Sequence, residues 1–377
     1  MKKLLNAIFL VSGTAIGAGL IALPLTAVNL GMTVTTFIIA LMIFIAYQSS
    51  MMTIDLIEHH KKSVSIVKIS KEIGGKRSFT ISLLSFYTLS FSLLTVYFAG
   101  SADSLAAFMN IDTNFLIPIC ALLLFAILGL EMHQFSKLNS TLVVLLMAAI
   151  LVSMIKVHIG NSEYHNVTVS RISDIVAFLP IIFTSFGVQN ICPNVYEYLE
   201  GDRKKINRAF FFGILIPALV YVAWISCVFQ NILSTDAEFF QKLQSHQVSA
   251  GEFIKFLCES SKSPYMEMFF KVLSLFAIAT SAIGTGIALL KSIRETVSRS
   301  SKIARAIICT VPALFAILIP NAFINILSFG GMIAIVFVIF MPYYLLKKQK
   351  VCDDLGYTFC LIFGIIIVIC EISEMIS

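Results

Sequence analysis

The chain has 377 residues, of which 58% are hydrophobic and 13% are charged, and its mean hydropathy is +0.92. Soluble domains carry about 25% charged residues and roughly half apolar ones, so this composition excludes a water-soluble globular protein. At about 20 apolar residues per membrane crossing, the length allows about a dozen spans and no sizeable soluble domain. The sequence therefore predicts an all-α integral membrane protein.

Hydropathy divides the chain into eleven predicted transmembrane helices within one domain, 1–377. The predicted spans are 6–30, 32–56, 79–108, 115–130, 138–157, 173–199, 209–230, 266–290, 303–319, 322–346 and 356–376. The apolar start could pass for a cleaved signal peptide. We interpret it as a span, because the apolar run continues past Pro24 and is followed at once by a second span.

The first span is interrupted by the glycine-rich segment Ser12–Gly19. Glycine destabilises a helix interior by roughly 1 kcal/mol relative to alanine, and Gly13, Gly17 and Gly19 fall within seven residues. An unwound segment frees backbone groups that hydrocarbon cannot satisfy, and the N–H groups around Gly17 to Gly19 would suit a carboxylate. The alternative is a small-residue face for helix packing.

The third span carries Tyr97 and, near its outer end, Asp103. Asp103 is either a protonation site in the outer vestibule or a solvated carboxylate at a helix end. Tyr97 is either a substrate contact or a packing residue. The pattern leaves both alternatives open for each residue.

The sixth span is interrupted by Thr184–Gly187, with Pro193 one to two turns further on. This break offers carbonyl groups of the opposite polarity, which suit an ammonium group. Two such breaks facing each other would form a receptor for a zwitterion, that is, an amino acid. Candidate substrate contacts beside the sixth-span break are Phe183, Phe186, Gln189 and Asn190. The alternatives are packing for the two rings and satisfaction of freed backbone for the two amides.

The longest predicted loop, 231–265, is expected outside and could form at most a small cap or short helix. In the eighth span, Thr280 and Ser281 precede two glycines. Their hydroxyls could bind a sodium ion beside the first-span carbonyls, although such hydroxyls more often bond back to their own helical turn.

The two broken helices each open a block of five spans, 6–157 and 173–346, about 170 residues apart. An odd number of spans inverts the second block relative to the first. Inverted repeats with matching broken helices are typical of secondary transporters whose site lies at the midplane. The eleventh span, 356–376, lies outside this 5+5 repeat.

Placing the N-terminus in the cytoplasm puts 21 of the 27 Lys and Arg residues in predicted inside segments. This asymmetry predicts a cytoplasmic N-terminus and a C-terminus outside. It also indicates that the net charge of +6 reflects the orientation of the protein in the membrane rather than nucleic-acid binding. The eight cysteines form no CxxC pair, and the six histidines fall in predicted loops. We therefore expect no metal and no cofactor.

At the two breaks the chain resembles the bacterial aromatic amino acid permeases, the tyrosine- and tryptophan-specific group of the amino acid/polyamine/organocation superfamily. The resemblance runs through SGTAIGAGLIALPL at Ser12–Leu25 and FTSFGVQNICP at Phe183–Pro193, then through Tyr198–Trp224, and weakly through Ala279–Ser281. It implies a leucine-transporter-type fold and proton-driven uptake of tyrosine or tryptophan across a bacterial inner membrane, with a periplasmic C-terminus.

The resemblance also implies roles for residues at the two breaks. Thr14, Gly17, Ala18 and Gly19 would receive the substrate carboxylate, and Ser185, Phe186 and Gly187 would receive the amino group. One position departs from the family, which commonly has a histidine where this chain has Gln189. Glutamine does not change charge between pH 5 and 8 as histidine can, so the resemblance does not carry a proton role to that position.

The sequence therefore predicts a secondary active transporter that imports an aromatic amino acid by proton symport through alternating access. Its partners would be the amino acid, the coupling ion and membrane lipid. A sodium-coupled or serine/threonine-type permease is the alternative. An intramembrane enzyme would need a nucleophile or metal constellation that the spans lack. A channel would need polar rings along a pore, and a sensor would normally add a soluble signalling segment.

Overall fold

The computed structural model describes fourteen stretches of the chain, and within them the regular structure is helical. These stretches are 2–17, 19–60, 64–109, 111–130, 134, 140–145, 147–148, 171–245, 247–248, 250–259, 264–297, 300–319, 323–351 and 354–376. The first half contains α1 (Lys2–Ile16), α2 (Gly19–Ala27), α3 (Gly31–His60), α4 (Ile66–Ile69), α5 (Gly75–Met109) and α6 (Thr113–Ile127). The second half contains α7 (Ile172–Ser185), α8 (Cys192–Tyr198), α9 (Arg203–Thr235), α10 (Ala237–Gln244), α11 (Ala250–Glu259), α12 (Pro264–Thr296), α13 (Ser301–Leu318), α14 (Phe323–Ile335), α15 (Met341–Lys348) and α16 (Leu355–Ile376).

The described helices confirm an all-helical membrane protein. Seven helices are long and apolar enough to cross a membrane, and α1 with α2 makes an eighth if the bent pair is one span. Two shorter apolar helices, Thr113–Ile127 and Leu355–Ile369, occupy the places of the fourth and eleventh predicted spans. The predicted fifth span, 138–157, lies largely outside the described residues. The count of eleven and the inverted repeat therefore stay predictions.

The broken helices lie in the middle of the helix bundle. Helix α1 packs against α9 and α12, α2 packs against α7, and α7 packs against α14. Helix α5 runs along α6, α12, α13 and α14. The residues at the two breaks are consequently among the most buried in the chain, as Ile16 and Phe186 illustrate.

The predicted cap between the seventh and eighth spans consists of two short helices, α10 and α11. The rings of Phe239 and Phe256 stack between them at a centroid distance of 3.8 Å. Asn29, just after α2, donates a hydrogen bond from Nδ2 to the carbonyl of Gln244 at 3.0 Å. This bond ties the cap to the end of the first span.

Candidate functional site

The first span is broken where the glycine-rich segment predicts. Helix α1 ends at Ile16, α2 begins at Gly19, and the two axes differ by 45°. Ala18 lies outside the described residues. Because the last four carbonyl groups of a helix have no partner in their own helix, the break frees the carbonyls of residues 13 to 16.

Two hydroxyl groups from other helices satisfy three of these carbonyls. The Ser281 hydroxyl on α12 lies 3.1 Å from the carbonyl oxygen of Gly13 and 2.9 Å from that of Thr14, and donates to them. The Tyr221 hydroxyl on α9 donates to the carbonyl of Ala15. Partners on two different helices therefore stabilise the unwound segment.

A third side-chain donor, Trp224 on α9, forms a hydrogen bond with the backbone of α2 just after the break. Pro24 lies inside α2 and has no N–H, so the carbonyl of Leu20 loses its helical partner. The indole N–H of Trp224 donates to this carbonyl at 2.7 Å. Tyr221 and Trp224, three residues apart on one face of α9, thus satisfy backbone on both sides of the break.

At Gly17 and Gly19, a larger residue would displace the side chains of neighbouring helices. A Cβ added to Gly17 would lie 2.0 Å from the Ser281 hydroxyl oxygen. A Cβ added to Gly19 would lie 2.3 Å from the Tyr221 hydroxyl oxygen and 2.9 Å from the Cβ of Ser185. The last distance shows that the start of α2 lies directly against the end of α7.

The sixth span is broken at Phe186 to Val188, which overlaps the predicted interruption Thr184–Gly187, although Thr184 and Ser185 still lie in the helix. Helix α7 ends at Ser185, a short 3₁₀ turn covers Gln189–Ile191, and α8 begins at Cys192. The Phe186 ring meets the Tyr221 ring edge to face at a centroid distance of 5.5 Å. The two breaks therefore share Tyr221 as a neighbour.

Tyr97 on α5 completes this group of side chains. It is buried, and its hydroxyl lies beside the hydroxyls of Ser281 and Thr285. Tyr97 also lies close enough to Tyr221 for the two to interact electrostatically. We refer to the residues around the two breaks as the central cluster. It comprises Gly17, Gly19, Tyr97, Ser185, Phe186, Tyr221 and Ser281.

Several predicted contacts bond back to their own helices. Thr14 donates to the carbonyl of Leu10 at 2.8 Å, Ser185 to that of Ile181 at 2.8 Å, and Thr280 to that of Ala277 at 2.9 Å. Phe183 is buried in α7, and Gly187 lies in the unwound turn. Of the two predicted ion-coupling hydroxyls, Ser281 therefore reaches the first-span carbonyls and Thr280 bonds within α12.

The two amides after the sixth-span break face away from the central cluster. Gln189 is 1% exposed and donates from Nε2 to the Ser49 hydroxyl on α3 at 2.8 Å. Asn190 lines a small cavity together with Asn194 and Lys291. Within the described residues, the side-chain oxygens of Gln189, Asn190 and Asn194 have no hydrogen-bond partner.

Asp103 also lies apart from the central cluster. It follows Tyr97 by six residues on α5, which is about 9 Å along a helix. Its carboxylate is partly buried and accepts a hydrogen bond from the Thr113 hydroxyl at 3.4 Å. This contact ties the end of α5 to the start of α6.

Ion pairs join the helices on the side of the protein that is predicted to be cytoplasmic. Lys291 on α12 pairs with Glu197 on α8 at 2.6 Å, and Lys3 on α1 pairs with Glu200 at 2.6 Å. Arg203 at the start of α9 pairs with Asp55 and Glu58 on α3. The Lys3 ammonium lowers the pKa of Glu200 through a hydrogen bond and charge attraction.

Sequence reasoning missed Tyr221 and Trp224 as hydrogen-bond donors to the first span. The available signal was Pro24, because a proline inside a buried helix leaves a carbonyl that requires an outside donor. A hydroxyl and an indole three residues apart on the predicted seventh span are suitable donors. The sequence alone does not specify which span supplies them.

Known proteins resemble this chain over nearly its whole length. The tyrosine-specific transport system 1 of Haemophilus influenzae is 25% identical over 93% of this chain and 89% of its own. The glutamine transporter 2 of Aliivibrio fischeri is 23% identical over 90% of this chain and 87% of its own. The crystal structure of MhsT in complex with L-phenylalanine matches with a TM-score of 0.60 and 14% identity, over 99% of this chain and 98% of that chain.

These similarities establish the fold and the family. The structural match indicates a leucine-transporter-type fold, as the sequence predicts. The profile of the tryptophan/tyrosine permease family matches residues 1–373. The family consists of transporters, which confirms that the protein is not an enzyme. The chain therefore belongs to the tryptophan/tyrosine permease family of multi-pass membrane transporters.

Proposed function

We propose that the protein imports tyrosine or tryptophan across a bacterial inner membrane by proton symport, with the amino acid bound between the two helix breaks. The observation that carries this proposal is the contact of the breaks at Gly19 and Ser185. The start of α2 presents N–H groups and the end of α7 presents carbonyl groups, so the junction suits a carboxylate and an ammonium group at once. Family membership supports the aromatic substrate.

In this proposal each break receives one end of the amino acid. Thr14, Gly17, Ala18 and Gly19 surround the carboxylate. Ser185, Phe186 and Gly187 surround the amino group. The rings of Tyr97, Phe186 and Tyr221 offer edges and faces to an aromatic side chain, an arrangement that stabilises aromatic pairs by about 0.5–1.5 kcal/mol beyond burial. The other three predicted contacts are assigned to a layer behind these residues rather than to direct contact with the amino acid; they are Phe183, Gln189 and Asn190.

Equilibrium binding of labelled amino acids to the purified protein tests the substrate class. We expect labelled tyrosine or tryptophan to bind and to be displaced by the other aromatic amino acids. Glutamine is the important competitor, because one relative is named a glutamine transporter. Displacement by glutamine or serine alone would favour the polar-substrate alternative.

The satisfied carbonyls of the first break support protons rather than sodium as the coupling ion. The carbonyls of Gly13, Thr14 and Ala15 accept hydrogen bonds from Ser281 and Tyr221, so they do not require a cation. In the sodium-coupled alternative, Ser281 and Thr280 would turn to ligate the ion. Asp103 is the proposed protonation site, because it is a partly buried carboxylate near the outer end of α5.

Replacing Asp103 with asparagine should separate transport from proton coupling. Asparagine keeps the shape but holds no titratable proton, so we expect proton-driven accumulation to be lost while exchange of internal for external substrate continues. Proteoliposomes measure both activities. Asp112→Asn is the matched control, because asparagine caps a helix as well as aspartate does and Asp112 caps α6. Unchanged accumulation in Asp103→Asn would exclude this residue.

In alternating access, the substrate site must open to the predicted cytoplasmic side, which ion pairs close in this structure. Lys291 and Glu197 join α12 to α8, so Lys291→Gln should favour the open state. Cys192 is buried at the start of α8. We expect a water-soluble maleimide to label it about fivefold faster in Lys291→Gln than in the native protein. This factor corresponds to the loss of ~1 kcal/mol of ion-pair stabilisation. The other cysteines are replaced for this measurement.

Lys205→Gln is the control for this experiment, because the ion pair of Lys205 with Asp202 lies within a single turn. Exchanging the two charges, with Lys291→Glu and Glu197→Lys together, should restore slow labelling. Equal labelling rates in all variants would show that this ion pair does not hold the side closed.

A further inference from the structure

A groove lies between α6 and α13, away from the central cluster. It has a volume of about 420 Å³, and Pro118, Leu122, Phe125, Cys309, Ala313 and Ile317 are among its lining residues. Phe125 near the end of α6 lies beside Arg305 near the start of α13, so the two helices run in opposite directions. The groove therefore extends along both helices from the Arg305 end.

Within the part of the chain that the structure describes, the groove opens to the outer surface of the helix bundle rather than to its inside. Small residues at Ala121, Ala306 and Ala313 leave the space between the helices. Leu122 is 68% exposed and Leu314 is 55% exposed on its rim. Its volume falls within the roughly 300–1,000 Å³ of small-molecule sites, and its apolar lining suits an acyl chain.

Arg305 places a positive charge at one end of this apolar groove. Its guanidinium lies 4.8 Å from the centre of the Phe125 ring. Nε donates to the carbonyl of Ser301 at 3.3 Å and Nη1 to that of Phe125 at 3.4 Å. Among the described residues no carboxylate pairs with Arg305 within 4.0 Å.

The guanidinium retains capacity for a further ligand. An arginine side chain has five N–H donors, and two of its nitrogens make the bonds described above. A planar guanidinium matches a phosphate with two parallel hydrogen bonds. Arg305 also lies on the basic side of the protein, close in sequence to Lys302 and Arg294. Juxtamembrane basic residues attract anionic lipids, and basic pockets between membrane helices bind their head groups.

We propose that an anionic phospholipid occupies this groove, with an acyl chain between α6 and α13 and its phosphate on Arg305. A zwitterionic lipid would carry its own positive charge to the guanidinium, so charge complementarity selects the anionic head group. The proposed lipid site is separate from the central cluster and does not depend on which amino acid is transported.

Native mass spectrometry of the purified protein tests the site with two lipids that share the same acyl chains, phosphatidylglycerol and phosphatidylcholine. We expect the native protein to retain phosphatidylglycerol at least about fivefold better. Arg305→Gln should reduce this retention to the level of phosphatidylcholine. Lys204→Gln, at the exposed start of α9 and outside the groove, should leave the preference unchanged.

A second variant tests the groove independently of the charge. Ala313→Phe fills the groove while keeping Arg305, so retention of both lipids should fall. Equal retention of the two lipids by the native protein would overturn the proposal. Unchanged retention of phosphatidylglycerol in Ala313→Phe would also overturn it, even if Arg305→Gln failed to fold. Dimers without bound lipid would assign the groove to a second copy of the chain and would overturn it too.

Discussion

Gly17→Leu should abolish substrate binding and uptake while the protein still inserts into the membrane. Even the first carbon of a side chain at this position would lie 2.0 Å from the Ser281 hydroxyl oxygen. A leucine must therefore displace Ser281 from the carbonyls of Gly13 and Thr14 and fill the proposed carboxylate site. Overpacking of a tight interior typically costs about 1–3 kcal/mol, and the blocked site removes binding altogether.

Gly251→Leu is the matched control for this substitution. Gly251 lies in the short helix α11, and an added Cβ there meets no atom of the described residues within 4 Å. Expression and monodispersity establish that both variants insert and fold, and uptake of labelled tyrosine or tryptophan into proteoliposomes measures the effect. Full uptake in Gly17→Leu would refute the site at the first-span break.

Tyr221→Phe should slow transport about tenfold and lower stability. The substitution keeps the ring against Phe186 but removes the hydroxyl that donates to the carbonyl of Ala15. A buried group left without its hydrogen bond costs about 1–3 kcal/mol, which corresponds to roughly 5–150-fold in an equilibrium constant. The lost hydrogen bond destabilises the unwound segment, which contacts the substrate in the proposed site.

Trp224→Phe tests the second donor of α9 in the same way. It removes the indole N–H from the carbonyl of Leu20, which has no partner inside α2 because residue 24 is proline. Tyr344→Phe is the control, since Tyr344 is half-exposed on α15. Initial uptake rates and thermal unfolding temperatures distinguish the effects. Native rates and stability in Tyr221→Phe would show that the hydroxyl does not support the break.

The sequence predicted the two breaks because their causes are local. Three glycines within seven residues weaken the first span wherever it packs, and Thr184–Gly187 predicted the second break on the same kind of pattern. Thr280 and Ser281 show the limit of such reasoning. Adjacent hydroxyls look equivalent in a sequence, but only the one on the face of α12 that meets α1 reaches the carbonyls of the first break.

The donors to the first span could not be assigned from the sequence because tertiary packing brings them together. Tyr221 and Ala15 are separated by 206 residues, and Trp224 and Leu20 by 204. A proline in a buried helix signals that a donor is needed but does not identify it. Similarly, the sequence left Asn190 as either a substrate contact or a partner of freed backbone, and its place in the cavity with Lys291 depends on tertiary packing.

Uptake of labelled tyrosine and tryptophan into proteoliposomes, with proton and sodium gradients imposed separately, tests the central claim most directly. The proposed mechanism predicts accumulation driven by an inward proton gradient alone, and loss of that accumulation in Gly17→Leu. Accumulation that requires sodium, or accumulation of glutamine or serine in place of an aromatic amino acid, would contradict the proposed substrate or coupling while leaving the fold unchanged. Absence of any amino acid accumulation under either gradient would contradict the transport function itself.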